Sequence, residues 1–260
     1  MATVQVFSDF DGTICLKDTG CILIDSGMGY ENRKILDAKV LAHEMTFLEA
    51  MHLFWDSVSL TLEEGLDLVR DAELDPGFVA FHRYVGEQQI PFAVVSCGLD
   101  ILIQEYMAWH LGRDQAQQLN ILANYAHVHN KKWLVTYRDD TPHAHDKSIC
   151  IRAARKAFEE EQETRKKMAQ EQQDSQRRDE HQVIVFCGDG ISDLSAAREA
   201  DVLFARRGRD LEKYCRTHKL PFLPFDTFEE VHTIVQGLHE GSLSIVDIRK
   251  RQQDECEKAI

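Results

Sequence analysis

The feature that most constrains this chain is a short apolar run, Val4 to Ser8, that ends directly on Asp9-Phe10-Asp11-Gly12-Thr13. A strand of this kind brings carboxylates and a glycine turn to its carboxyl end, where ligands bind in open α/β sheets. Similar runs recur at Pro91–Ser96, Val183–Cys187 and Val202–Ala205. Each passes through a polar or glycine turn into helical spacing. Strands alternating with helices predict an α/β fold on a mostly parallel sheet.

The interval from Asp18 to Glu87 breaks that rhythm. Its apolar residues, among them Ile22, Leu36, Val40, Phe47, Met51, Phe54, Leu66 and Val69, recur at three- and four-residue spacing. Thr46 with Glu49, and Thr61 with Glu64, form capping boxes that open helices. The reading is a helical insertion of roughly 70 residues, a size a small domain can have. Phe54 and Trp55 within it read as core. Leu122–Val128 and Trp133–Tyr137 flank a polar turn and predict a β-hairpin. Phe158 to Gln182 is rich in Glu, Gln, Lys and Arg, the pattern of a solvated helix or a mobile excursion. Thr227 and Glu230 open a late helix, and a charged, exposed helix is expected after Gly241. The expected domains are a core over 1–17 and 88–239, with 158–182 as the charged excursion, a helical cap over 18–87, and a tail over 240–260.

Composition narrows the function. The net charge of −14 argues against nucleic acid or an anionic membrane as partner. It also means that an anionic substrate needs a local cation or a cluster of donors. The seven cysteines include no C-x-x-C pair, so zinc and a disulfide framework are not expected and a reducing compartment is. No basic stretch with a long apolar run opens the chain, and no apolar run reaches membrane-spanning length. The expectation is a cytoplasmic protein, with the nucleus also open.

Four separated motifs bear chemistry. In D-F-D-G-T, a carboxylate at the strand end can attack phosphorus and form an acyl-phosphate. A second, two residues on, can protonate the leaving alkoxide and then deprotonate water. Gly12 permits the turn that brings the two to one mouth. Ser96, at the end of V-V-S-C-G, can hold a phosphoryl oxygen together with the backbone N–H of Cys97 or Gly98. Lys147 in H-D-K-S can neutralise phosphoryl charge. Gly188-Asp189-Gly190-Ile191-Ser192-Asp193 offers two carboxylates around a glycine turn, suited to a hard cation such as Mg²⁺. Singly, each has an ordinary reading: an Asp-Gly turn, a helix-capping serine, a surface lysine, a capped glycine turn. In this order and context they point to phosphoryl transfer. His143 and His145 beside the lysine read as solvated loop histidines.

With all four motifs in place, the chain resembles the haloacid dehalogenase superfamily of phosphatases along nearly its whole length. The resemblance implies a three-layer Rossmann-like core with a helical cap inserted after the first strand. It implies Asp9 as nucleophile and Asp11 as acid and base, with Lys147 assisting. Thr13, Asp18, Ser96, Cys97 and Gly98 would meet substrate. Asp9, the Asp11 carbonyl and Asp189 would hold Mg²⁺, with Asp193 in the near shell through Lys147. The segment E-M-T-F-L-E-A-M resembles the cap helix of the phosphoserine phosphatase-like branch. D-F-D-G-T-I with Asp18, and V-V-S-C-G-L-D, are closer to the methionine-salvage phosphatases and their fungal relatives, which act on methylthio-pentenyl or polyol phosphates. The implied function is Mg²⁺-dependent hydrolysis of a small phosphorylated metabolite through an aspartyl-phosphate. Two alternatives stay open: a phosphoserine phosphatase, and a silent regulatory protein that binds phosphometabolites. Nothing in the sequence sets the oligomeric state.

Overall fold

The computed structural model describes residues 2–171 and 181–258. The fold is α/β, with seven strands in the order β4-β3-β2-β1-β5-β6-β7. These are β1 (Ala2–Ser8), β2 (Phe92–Leu99), β3 (Asn120–His129), β4 (Lys132–Thr136), β5 (His181–Gly188), β6 (Val202–Arg206) and β7 (Leu223–Phe225). β2 with β3, β5 with β6 and β6 with β7 pair parallel, while β3 with β4 pairs antiparallel. The apolar runs of β5 and β6 are buried almost throughout, as strands covered on both faces require.

The chain divides into two compact units, Met1–Phe7 with Ala80–Phe92 and Lys147–Ile260, and Ser8–Val79 with Ala93–Asp146. In the first, the core is largely aromatic. Phe81 meets Phe92 edge-on at 5.8 Å and Phe228 at 5.3 Å, and Phe225 meets Phe204 and Phe228. Phe81, Phe222 and Phe225 are fully buried, as core residues should be; each such ring contributes about 1.5–3 kcal/mol. The helix α8 (Lys147–Glu171) runs into the charged segment and exposes most of residues 158–168. Residues 172–180 of that segment lie outside the described residues, and Gln182 already belongs to β5. Thr227 caps α11 (Phe228–Glu240) with Glu230, as its spacing predicts. The expectation of an exposed helix after Gly241 fails on one face of α12 (Ile245–Glu257), where Ile248, Gln252 and Cys256 are buried. Gln252 is the reason. Its Oε1 accepts from Leu203 N at 2.7 Å and its Nε2 donates to Asp201 O at 3.1 Å, so the helix docks by satisfying backbone groups around β6.

In the second unit, α1 (Thr19–Met28), α2 (Tyr30–Leu41), α3 (Phe47–Ser57) and α4 (Leu62–Val69) form the helical stretch, and both expected capping boxes are present. Phe54 and Trp55 are 3% and 2% exposed and belong to its core, as their spacing implies. That core includes a strand of the hairpin. Trp133 of β4 stacks on Trp55 at 5.7 Å and donates its indole N–H to Leu60 O. The hairpin turns at Asn130-Lys131, with φ of +48° and +64°, as a tight two-residue loop demands.

Candidate active site

In the second unit, the strand end places Asp9 in a nearly buried position. The chain then turns on the Phe10 carbonyl, which accepts from the N–H groups of Thr13, Ile14 and Cys15. Gly12 takes φ +78°, where glycine carries no penalty. The fully buried Phe10 ring packs edge-on against Tyr106 at 5.4 Å and anchors the turn from below. Thr13 is buried inside the turn.

Asp11 is held asymmetrically. Its Oδ1 accepts from both Thr19 N and Thr19 Oγ1, each at 2.7 Å. Thr19 is the first residue of α1, so a helix N-terminus supplies the donors. Asp18 caps that helix by accepting from Cys21 N. The other oxygen of Asp11 faces Gly98 and Ser96: a Cβ built on Gly98 would stand 2.9 Å from Asp11 Oδ2 and 3.1 Å from Ser96 Oγ. Burial above all, then the charge of Asp18, and more weakly that of Asp9, push the Asp11 carboxyl well above its usual range, against the bonds from Thr19. Ser96 is 1% exposed, and its Oγ accepts from Gly98 N at 2.9 Å. The Cys97 thiol is directed at the carbonyl oxygens of His143 and His145.

In the first unit, Lys147 opens α8 with its Nζ 2.6 Å from Asp193 Oδ1, the two side chains 1% and 0% exposed. Asp193 Oδ2 accepts from Asp189 N and Gly190 N, both at 3.0 Å. The G-D-G-x-S-D segment thus wraps around one carboxylate. Gly188 is required there, since a Cβ would lie 2.5 Å from Asp193 Oδ2. Asp11, Ser96 and Gly98 therefore meet in one unit, and Lys147, Asp189 and Asp193 in the other.

The haloacid dehalogenase-like hydrolase family model matches residues 6–198. The chain belongs to that family. Among relatives of this haloacid dehalogenase-like hydrolase, Pdp3-interacting factor 1 of Schizosaccharomyces pombe is 37% identical, over 92% of this chain and 97% of its own. Polyol phosphate phosphatase PYP1 of Saccharomyces cerevisiae is 32% identical, over 95% and 99%. The 2-hydroxy-3-keto-5-methylthiopentenyl-1-phosphate phosphatase of Bacillus thuringiensis is 28% identical, over 93% and 100%. The fold is also that of a phosphoserine phosphatase solved as a phospho-aspartyl intermediate analogue, with TM-score 0.61 and 17% identity over 90% of this chain and 98% of that one. With named phosphatases matching almost end to end, this haloacid dehalogenase-like hydrolase is a phosphatase. Among its described residues, no helix is long and apolar enough to cross a membrane.

Around the motifs, this hydrolase holds residues that the sequence reading missed. Thr19 was legible as the residue after a helix-capping aspartate. Asn124, fully buried on β3, was visible only as an amide inside an apolar strand. His145, expected in solvent, is 2% exposed and bonds through Nδ1 to Asp139 Oδ2 at 3.1 Å. The loop closes over it because Asp139 also accepts from Thr141 and from Asp146 N.

Proposed function

We propose that this phosphatase hydrolyses a small phosphomonoester with an uncharged body, of the polyol or sugar phosphate class or a methylthio-pentenyl phosphate, through an aspartyl-phosphate on Asp9. The observation that carries the reading is the geometry of Asp11. One oxygen is pinned by Thr19, and the other is directed at the Ser96–Gly98 turn where a phosphoryl group would lie. The Asp9 carboxylate attacks phosphorus and the ester P–O bond breaks, while Asp11 gives its proton to the departing alkoxide. Asp11 then takes a proton from the water that cleaves the acyl-phosphate. Ser96 Oγ, held by the Gly98 N–H, donates to a phosphoryl oxygen. Lys147, fixed by Asp193, neutralises charge, and Asp193 serves chiefly to hold that lysine and the turn around it.

The residues present fit Mg²⁺. The Asp9 carboxylate and the Asp11 carbonyl in one unit, and the Asp189 carboxylate in the other, offer oxygen donors only, the kind that would hold Mg²⁺, while the Cys97 thiol is directed at two backbone carbonyls. Mg²⁺ held there would offset the negative charge of nucleophile and phosphate. The helical stretch 18–87 acts as the cap and, with Asp18, sets substrate choice.

The uncharged body is supported by what residues 18–79 lack. A substrate carboxylate wants a bidentate arginine. Arg33 is occupied by Asp25 and Asp37, and Arg70 pairs with Asp67. Phe54 is buried in the helical core and cannot offer that pairing. The yeast polyol phosphate phosphatase among the relatives supports the same class. The test is turnover of p-nitrophenyl phosphate by the purified protein with and without Mg²⁺. Rapid Mg²⁺-dependent release of p-nitrophenol is expected, and its absence would remove the mechanism.

A further inference from the structure

The turn that carries Ser96 and Gly98 is a bulge in β2, and its stability poses a problem. Val95 pairs with Leu122, and the next paired residues are Leu99 and Asn124. Ser96, Cys97 and Gly98 thus face the single residue Ala123 on β3, so the β2–β3 ladder is interrupted here. Backbone groups at such an interruption take partners from outside that ladder.

Asn124 supplies one. Its Nδ2 donates to Cys97 O at 2.8 Å, while its Oδ1 accepts from Arg138 N at 2.9 Å. A carbonyl needs a donor and an N–H needs an acceptor, so only one orientation of the amide serves both. The side chain is fully buried, so water does not compete for these bonds. The peptide between Cys97 and Gly98 is planar and trans, so its C=O and N–H point in opposite directions. Holding the Cys97 carbonyl therefore also aims the Gly98 N–H. That N–H points at Ser96 Oγ, at 2.9 Å. With a lone pair of Oγ engaged, the serine hydroxyl is set to donate its own hydrogen to a phosphoryl oxygen.

We propose that Asn124 is a positioning residue for phosphate recognition: it staples the bulge of β2 to the 138–146 segment and fixes the peptide that orients both Gly98 N–H and Ser96 Oγ. Its role in turnover rests on the phosphatase reading above; its role in binding phosphate does not. The second arm of the staple reaches a segment that is itself locked. Asp139 accepts from Thr141, His145 and Asp146, and the chain then passes directly to Lys147.

The experiment compares wild type, Ser96→Ala, Asn124→Asp and the double variant. Asp keeps the size and the acceptor for Arg138 N but loses the donor to Cys97 O. Affinity for orthophosphate in Mg²⁺ is read by titration calorimetry, and kcat and KM on p-nitrophenyl phosphate are read alongside. Asn124→Asp should weaken orthophosphate by roughly fivefold or more, the scale of one hydrogen bond. The double variant should be no weaker than the worse single one, because both changes remove the same hydroxyl contact. Unchanged phosphate affinity in a folded Asn124→Asp protein overturns the proposal. So do losses that multiply, since a general packing defect would add to the loss of Ser96. Should Asn124→Asp fail to fold, Asn124→Ala removes the donor with a smaller side chain and is judged by the same outcomes. A wild type that binds orthophosphate as expected but turns over no ester leaves the positioning role standing and removes the hydrolytic one. A wild type that binds no orthophosphate overturns both.

Discussion

A methyl group added at Gly98 would stand 2.9 Å from Asp11 Oδ2 and 3.1 Å from Ser96 Oγ. Gly98→Ala should therefore push apart Asp11 and Ser96, the proposed acid and phosphate-binding hydroxyl, while leaving the bulk of the fold intact. We expect kcat/KM to fall about a hundredfold, the cost of roughly an ångström of misplacement, with little change in Tm. Steady-state kinetics and a melting curve measure the two effects separately. Asp9→Asn keeps the shape of the nucleophile and removes its charge. Turnover should fall by at least about a thousandfold in a protein that stays folded; near-normal turnover would end the aspartyl-phosphate reading. Both residues were legible in the sequence, because motif and turn lie within a few positions of each other. The contact of Gly98 with Asp11 was not. Whether Gly98 is needed for its conformation or for the space it leaves is decided by Asp11, which comes from a different strand end.

The loop from Arg138 to Asp146 behaves as an element without regular structure. Burial pushes the Asp139 carboxyl up, but hydrogen bonds from Thr141, His145 and Asp146 outweigh it and hold the group below the ordinary carboxylate range. A carboxyl whose folded pKa is depressed contributes stability above its unfolded value, about pH 4, and loses it as pH falls through the folded value. Asp139→Asn should thus destabilise the protein near neutrality. The gap to wild type, measured by urea unfolding, should shrink as pH falls below about 4. A gap that widened in acid would contradict the assignment. The C-terminal helix makes a similar case. Gln252→Leu fills the same space but leaves Leu203 N and Asp201 O without the bonds that Gln252 makes. Stability should drop by about 1–3 kcal/mol per unsatisfied group, read as a lower urea midpoint with an unchanged slope. The helices themselves were predictable from their capping boxes. The buried face of α12 was not, because its apolar content is low and one glutamine docks it.

For the whole molecule, the acidic balance and the oxygen donors make one connected prediction. Hydrolysis should stop on chelation and return with Mg²⁺. Ca²⁺ should inhibit, because its looser and higher coordination lets both oxygens of the nucleophile bind metal. Full activity in excess chelator would rule this out. In the active protein, kcat/KM for erythritol, ribitol, sorbitol or glycerol phosphate should exceed that for phosphoserine, since an unpaired substrate carboxylate beside apolar side chains is costly. Phosphoserine as the best substrate would return the alternative set by the resemblance.

What the sequence determined alone is local. The strand ends, the glycine turn after Asp9, the three Thr–Glu caps and the hairpin all depend on hydrogen bonds or side-chain alternation within a few residues, so their signals are contiguous. The pairing of Lys147 with Asp193 was expected from family resemblance, not from spacing, because the two lie 46 positions apart. Only the tertiary structure decided what packing brings together. It paired Asn124 with Cys97 across 27 positions, buried His145 against Asp139, and set Gln252 on β6 across 49. An amide or an imidazole in isolation reads as a solvated polar side chain. It becomes structural when folding removes water from it and leaves a single partner within reach.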